Sequence, residues 1–298
     1  MFQIKNNSGN SKSNNYIDIE NQKKTASARI YLDMGASLQE LVLDNKTIIE
    51  DLKPLTYNNT YASSILFPFA NRIKDGEYIY NNTVYNLEIN ESGNHNALHG
   101  LVYNKPFKIT EKLENETFAS VKLIYNEENE SVGFPYKYSM QLEYVLTELT
   151  LDLHVTVKNT DNKAFPFTLG WHPYFLSKNL YNSSLVFDSE TEITFDNRCI
   201  TTGTKNFNEG THFEIKDKQL DNCFILKSND ITFKTPDYNL LMSASSKESF
   251  LQIYTPPKEN IIAIEPTTGV SNSFNNGMGL QILEPNNTYQ LNWNIKLI

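Results

Sequence analysis

Apolar and polar residues alternate strictly over several long stretches of the chain. Tyr138, Met140, Leu142, Tyr144 and Leu146 alternate with Ser139, Gln141, Glu143 and Thr147. Leu149, Leu151, Leu153, Val155 and Val157 alternate with Thr150, Asp152, His154, Thr156 and Lys158. Tyr85, Leu87 and Ile89 alternate with Asn86, Glu88 and Asn90, and the chain closes on Tyr289, Leu291, Trp293, Ile295 and Leu297 against Gln290, Asn292, Asn294 and Lys296. Period two with one wet face predicts antiparallel strands sharing a core. Ala28 to Leu43 reads as strand, bend at Gly35 and strand; residues 5–15 are polar and turn-forming and read as a loop. No long stretch has the 3.6-residue period of an amphipathic helix, and neither a composition break nor a fixed-length repeat divides the chain. The expectation is all-β: one large β-sandwich domain spanning 1–298, with function on loops and strand ends over one sheet face.

Composition sharpens this picture. The 298 residues are 39% hydrophobic and 12% aromatic, with 17 Tyr and 17 Phe, which supports a large core and leans towards strands. A formal charge of -9 argues against nucleic acid or an anionic membrane as partner. Arginine is scarce, limited to Arg29, Arg72 and Arg198, which also counts against a multiply charged phosphate substrate. Two cysteines, Cys199 and Cys223, form no metal-binding or disulfide pattern. The N-terminus lacks the apolar run of a signal peptide, so a cytoplasmic protein is expected.

Five short motifs carry candidate chemistry. In Gly170-Trp171-His172-Pro173-Tyr174-Phe175, Pro173 forces His172 into extended geometry and belongs at a strand end, leaving a titratable imidazole among flat rings at a sheet rim. Such a group suits the faces and oxygens of a sugar; an aromatic core cluster is the competing reading. Asn71-Arg72 places a planar fork between apolar residues, suited to paired hydroxyls or to a carboxylate in a structural ion pair. His95 and His99 are four apart, but Gly93, Asn94, Asn96 and Gly100 make that segment a loop rather than a helical zinc pair. Asp221 precedes an apolar run and is placed at a strand start, where a turn role competes with a ligand role. Ile261-Ile262-Ala263-Ile264 leads into Glu265, and Pro266 is expected to stop the strand there. A carboxylate closing a buried run is desolvated, which raises its pKa and makes it a competent base; a lysine-paired strand end is the alternative.

Taken in order, these motifs resemble the aldose 1-epimerase (galactose mutarotase) family, and most closely its bacterial aldose 1-epimerase-like branch. The resemblance rests on Asn71-Arg72 before the Gly76 turn, Leu98-His99-Gly100, His172-Pro173-Tyr174-Phe175, Asp221-Asn222-Cys223-Phe224 and Ile264-Glu265-Pro266. Phe274-Asn275-Asn276-Gly277 leading into Leu283-Glu284-Pro285 adds to it. It implies a galactose mutarotase-like antiparallel β-supersandwich and cofactor-free, metal-free interconversion of the α and β anomers of a free aldohexose such as galactose or glucose. It also implies Glu265 as general base, His172 as general acid, and Arg72, His99, Asp221 and Asn71 as residues that hold the sugar. The expected partner is a small-molecule sugar, with the protein a monomer or homodimer. Leu101 stands where better characterised members carry a second glycine, and Pro266-Thr267-Thr268 differs from their usual loop, which leaves sugar specificity open. A hexose-phosphate epimerase and a non-catalytic carbohydrate-binding module on the same fold are the alternatives.

Overall fold

The computed structural model describes residues 1–8, 15–247 and 249–298. Three antiparallel sheets carry most of it. Phe2–Asn7, Tyr16–Asn21, Ser27–Tyr31, Ser37–Leu43 and Lys46–Ile49 form a five-stranded meander in chain order. A nine-stranded sheet centres on Phe118–Glu127, Tyr138–Thr147, Thr150–Asn159 and the closing Thr288–Leu297 strand. An eight-stranded sheet contains Thr191–Phe195, Asp221–Ile225, Phe250–Tyr254, Ile261–Thr267 and Gly170–Trp171, with the edge pair Ile65–Leu66 beyond and Tyr174–Leu176 beside Ile261–Thr267.

The larger two sheets share one apolar interior, as a sandwich requires. Trp171 of the eight-stranded sheet stacks on Trp293 of the nine-stranded one, with ring centroids 5.9 Å apart and planes at 28°, and both are fully buried. Phe175 meets Phe233 across the same interior at 6.4 Å. The two α-helices among the described residues, Tyr57–Thr60 and Ser273–Asn276, have four residues each, and none is long and apolar enough to cross a membrane.

The long alternating strands form where the sequence places them. In Tyr138–Thr147 every apolar member of the alternation is buried, and in Thr150–Asn159 the buried members run from Leu151 to Val157. Ser27–Tyr31 and Ser37–Leu43 flank a turn in which Gly35 takes φ 64°. Four expectations need correction. Leu149 is 43% exposed, because Thr147 and Thr150 close a tight turn around it through hydroxyl hydrogen bonds. Lys5–Asn7 belong to a strand paired with Tyr16–Asp18, and residues 9–14 of the expected loop lie outside the described residues. The alternation around Tyr85 forms a strand only to Asn86, because its partner Glu77–Tyr80 ends there.

Pro266 does not stop its strand, which runs on to Thr267. On the side where the proline nitrogen points, Ile264 donates to the Pro173 carbonyl at 3.2 Å and Thr268 to that of Leu169 at 2.8 Å. Between them the neighbouring chain breaks, from Gly170–Trp171 to Tyr174–Leu176, and His172 donates its own amide to Ser64 instead. The missing N–H of Pro266 falls on this interrupted side, opposite Trp171, while pairing with Phe250–Tyr254 on the other side runs unbroken from Ala263 to Thr267 and carries the strand past the proline.

Candidate active site

The floor of the site is set by strand register. In an antiparallel ladder, directly opposed residues share a face. Cys223 opposes Gln252, and Gln252 opposes Glu265. Two residues along, Asp221 opposes Tyr254, Tyr254 opposes Ala263, and Ala263 opposes Tyr174. These two rows put Asp221, Gln252, Tyr254, Glu265 and Tyr174 on one face of the eight-stranded sheet. His172 joins them from the break at Pro173, its ring stacked on Tyr174 with centroids 4.9 Å apart and planes at 24°.

The wall comes from two short segments held together by backbone. Asn71 and His99 both take left-handed φ values, 58° and 61°, and the His99 amide donates to the Asn71 carbonyl at 2.8 Å. Gly100 follows at φ 72°, and a Cβ there would lie 2.3 Å from the Phe67 carbonyl oxygen, so only glycine lets the segment approach this closely. The His99 ring meets His172 edge-on at 4.9 Å and Tyr61 at 4.8 Å.

All six residues singled out in the sequence line one cleft of about 590 Å³, within the roughly 300–1,000 Å³ of small-molecule sites. Glu265 is 3% exposed, His172 4%, and Asn71 and His99 9% each. His172 Nε2 lies 3.4 Å from Glu265 Oε1. Gln252 donates to Asp221 Oδ1 at 2.7 Å, and the Cys199 thiol approaches Asp221 Oδ2 at 3.8 Å. Arg72 is a partial exception to its expected role. Its Nε and Nη2 grip Glu91 at 2.9–3.0 Å, and Nη1 donates to Asn71 at 3.1 Å. The structural-pair reading of Arg72 therefore holds alongside its place in the cleft. His95 lies outside the cleft and is exposed beside Asp75, at 3.4 Å. His154 and His212 are exposed strand residues.

Burial dominates the electrostatics. It pushes the Glu265 carboxyl well above its ordinary 4.5, with Asp221 adding to the shift and Arg72 opposing it. It lowers His172 from 6.5 to about 4, and holds His99 well below its usual range, with the neighbouring His172 and Arg72 adding to the effect. Burial of the Asp221 carboxylate raises it against the pull of Arg72, although the residue as a whole sits exposed at its strand start. Burial thus favours the uncharged form of both groups, with a proton on the Glu265 carboxyl and the His172 imidazole neutral. Ring nitrogens Nδ1 of His172 and of His99 are buried without a hydrogen bond to another residue.

These shifts fix the pH dependence of stability. Glu265 has a raised folded pKa, so its contribution is full below 4.5 and lost as pH climbs through the folded value. His172 has a depressed one, so its contribution is full above 6.5 and lost as pH falls through about 4. Unfolding titrations are expected to show stability falling on both sides, with each tenfold change in proton affinity between the folded and unfolded states worth about 1.4 kcal/mol. Glu265→Gln should flatten the rising-pH limb and leave the acid limb in place. An unchanged rising-pH limb in that variant would place the titration elsewhere.

Gln252 and Glu91 were not visible as site residues in the sequence. Gln252 interrupts a buried strand, Phe250–Tyr254, and a buried glutamine within an apolar run was the available signal. Glu91 sits in a polar stretch that reads as an ordinary surface loop.

The fold and the site together are an antiparallel sandwich with a buried carboxyl and imidazole 3.4 Å apart on the floor of a polar cleft. The chain belongs to the aldose 1-epimerase family, whose model matches residues 17–296. The uncharacterized protein YihR of Escherichia coli K12 is 26% identical over 274 residues, which cover 88% of this chain and 87% of that protein. A galactose mutarotase-like protein from Clostridium acetobutylicum has the same fold, with a TM-score of 0.84 at 22% identity over 100% of this chain and 98% of that one. The galactose 1-epimerase of Lactobacillus acidophilus NCFM matches at a TM-score of 0.81 and 16% identity, over 100% and 98% of the two chains.

Proposed function

We propose that the protein is a mutarotase that interconverts the α and β anomers of a free aldohexose such as galactose or glucose. The observation that carries this reading is the 3.4 Å contact between Glu265 and His172 on the cleft floor, ringed by Arg72, His99, Asp221 and Asn71. Anomer exchange needs one group to take a proton and another to give one, and burial favours a single proton between these two groups.

The reactive tautomer carries that proton on His172, reached by transfer across the contact with no change in proton count. Glu265 then removes the proton from the C1 hydroxyl. The O1 electrons form the C1 carbonyl, the C1–O5 bond breaks, and His172 protonates O5. The aldehyde rotates about C1–C2. His172 takes the O5 proton back as O5 attacks the other carbonyl face, and Glu265 returns its proton to O1. Tyr254 offers a flat face to the sugar's C–H surface beside the His172–Tyr174 stack, while Arg72, His99, Asp221 and Asn71 hold its hydroxyls.

Polarimetry of freshly dissolved α-D-galactose, and separately α-D-glucose, tests the proposal. The protein should hasten the approach to the same final rotation with one or both. No acceleration by folded protein would contradict it. Arg72→Ala removes hydrogen bonds from a charged donor, each worth ~1.5–3 kcal/mol, so KM should rise roughly tenfold to a hundredfold with a smaller change in kcat. An unchanged KM would refute a substrate-holding role.

A further inference from the structure

Glu91 looks like a surface residue in the sequence, yet its side chain is only 16% exposed and its carboxylate is fully engaged. Arg72 reaches it with Nε and Nη2, Asn94 Nδ2 donates at 3.1 Å and Asn96 Nδ2 at 2.9 Å. The Glu91 and Asn96 backbones also bond each other in both directions. Arg198 clamps this loop from outside, donating to Asn94 O at 2.8 Å, His95 O at 2.9 Å and Asn96 Oδ1 at 3.0 Å. The carboxylate is thus held in place from several directions.

From Arg72 a chain of side chains runs round the cleft with every donor pointing the same way. Arg72 Nη1 donates to Asn71 Oδ1 at 3.1 Å, Asn71 Nδ2 to Gln252 Oε1 at 3.4 Å, and Gln252 Nε2 to Asp221 Oδ1 at 2.7 Å. The series starts on a cation and ends on a carboxylate, so each bond polarises the next and both amides have one preferred orientation. Three members, Arg72, Asn71 and Asp221, are among the four residues assigned to hold the sugar. Glu91 is the anchor at the far end. It also cancels the charge of Arg72, which is the sole cation among the described residues lining the cleft and stands with Glu91 and Asp221, the Glu265 carboxyl being held protonated by burial.

We propose that Glu91 is a positioning and specificity-determining residue: it fixes the Arg72 guanidinium for hydrogen bonding to hydroxyls while neutralising it, so that the cleft takes uncharged aldoses and rejects those bearing a carboxylate or phosphate. This rests on the mutarotase reading for its choice of ligand. Without Glu91 the guanidinium loses its direct carboxylate partner, and an anion entering the cleft can take its fork. Discrimination of this kind is a difference of affinities set by a repulsive or cancelled charge.

The test is Glu91→Gln, which keeps the shape and one acceptor oxygen for Arg72. The ratio of kcat/KM for D-galactose to that for D-galacturonate should fall by about tenfold or more relative to the parent, and the same for D-glucose against glucose 6-phosphate. A merely structural role would lower all four together and leave both ratios unchanged, which would overturn the proposal. Should the variant fail to fold, calorimetry on the parent protein decides: galactose should bind about tenfold or more tighter than galacturonate, with the gap narrowing as salt is raised. Equal or tighter binding of galacturonate would overturn it. Binding is read independently of turnover, so a parent protein that turns over neither sugar defeats the mutarotase reading while the calorimetric ratio still judges Glu91.

Discussion

Glu265→Gln keeps sugar binding and lowers turnover by roughly 10²-fold or more, the usual worth of a positioned acid or base. Glutamine fills the same space beside His172 and can still accept a hydrogen bond from a sugar hydroxyl. It cannot take the proton of the C1 hydroxyl. The floor around it is set by ladder register with Gln252 on one side and the Pro173 break on the other, so the substitution has little reason to move the backbone. The side chain it replaces is buried, raised in pKa and without a lysine partner, which makes the variant neutral to stabilising at neutral pH. A kcat close to the parent's, with KM unchanged, would show that Glu265 is not the base.

Trp293→Ala gives the largest expected loss of stability, ~3–5 kcal/mol for a fully buried Trp cut to Ala. Trp293 is fully buried and stacks on Trp171, which binds the Ser63 carbonyl through its indole N–H at 3.2 Å. The two indoles join the sandwich's two large sheets directly beside His172, the residue that follows Trp171 in the chain. The cavity left by Trp293 opens beneath Trp171, and a shift of Trp171 into it would move the backbone that leads into His172, so activity should fall along with stability. Chemical denaturation measures the first effect: a loss below about 1 kcal/mol would mean that the sheets are held together elsewhere.

Legibility of the sequence followed the physics of each segment. Tyr138–Thr147, Thr150–Asn159 and Thr288–Leu297 have one buried and one wetter face, so alternation announces them. The strands that build the site do not alternate. Gly170–Trp171, Tyr174–Leu176 and Ile261–Thr267 are buried almost throughout, and two of the three are too short to carry a period. Local chemistry made up part of this deficit. Pro173 marked the break that frees His172, and the apolar run before Glu265 foretold its desolvation.

The sequence could not convey register. Gln252 becomes a site residue only because it opposes both Cys223 and Glu265 across two ladders. Glu91 becomes one only because the loop from 90 to 96 folds onto Arg72. Pro266 misled for the same reason: the strand runs past it because its other edge stays paired with Phe250–Tyr254.

Whether Glu265 drives anomer exchange is decided by magnetisation transfer between the anomeric protons of D-galactose and of D-glucose at equilibrium, with the parent protein and with Glu265→Gln side by side. The expected result is faster α–β exchange with the parent for at least one sugar, and exchange near the buffer rate with the variant. Equal exchange with both proteins, or none above buffer with a folded parent, would contradict it.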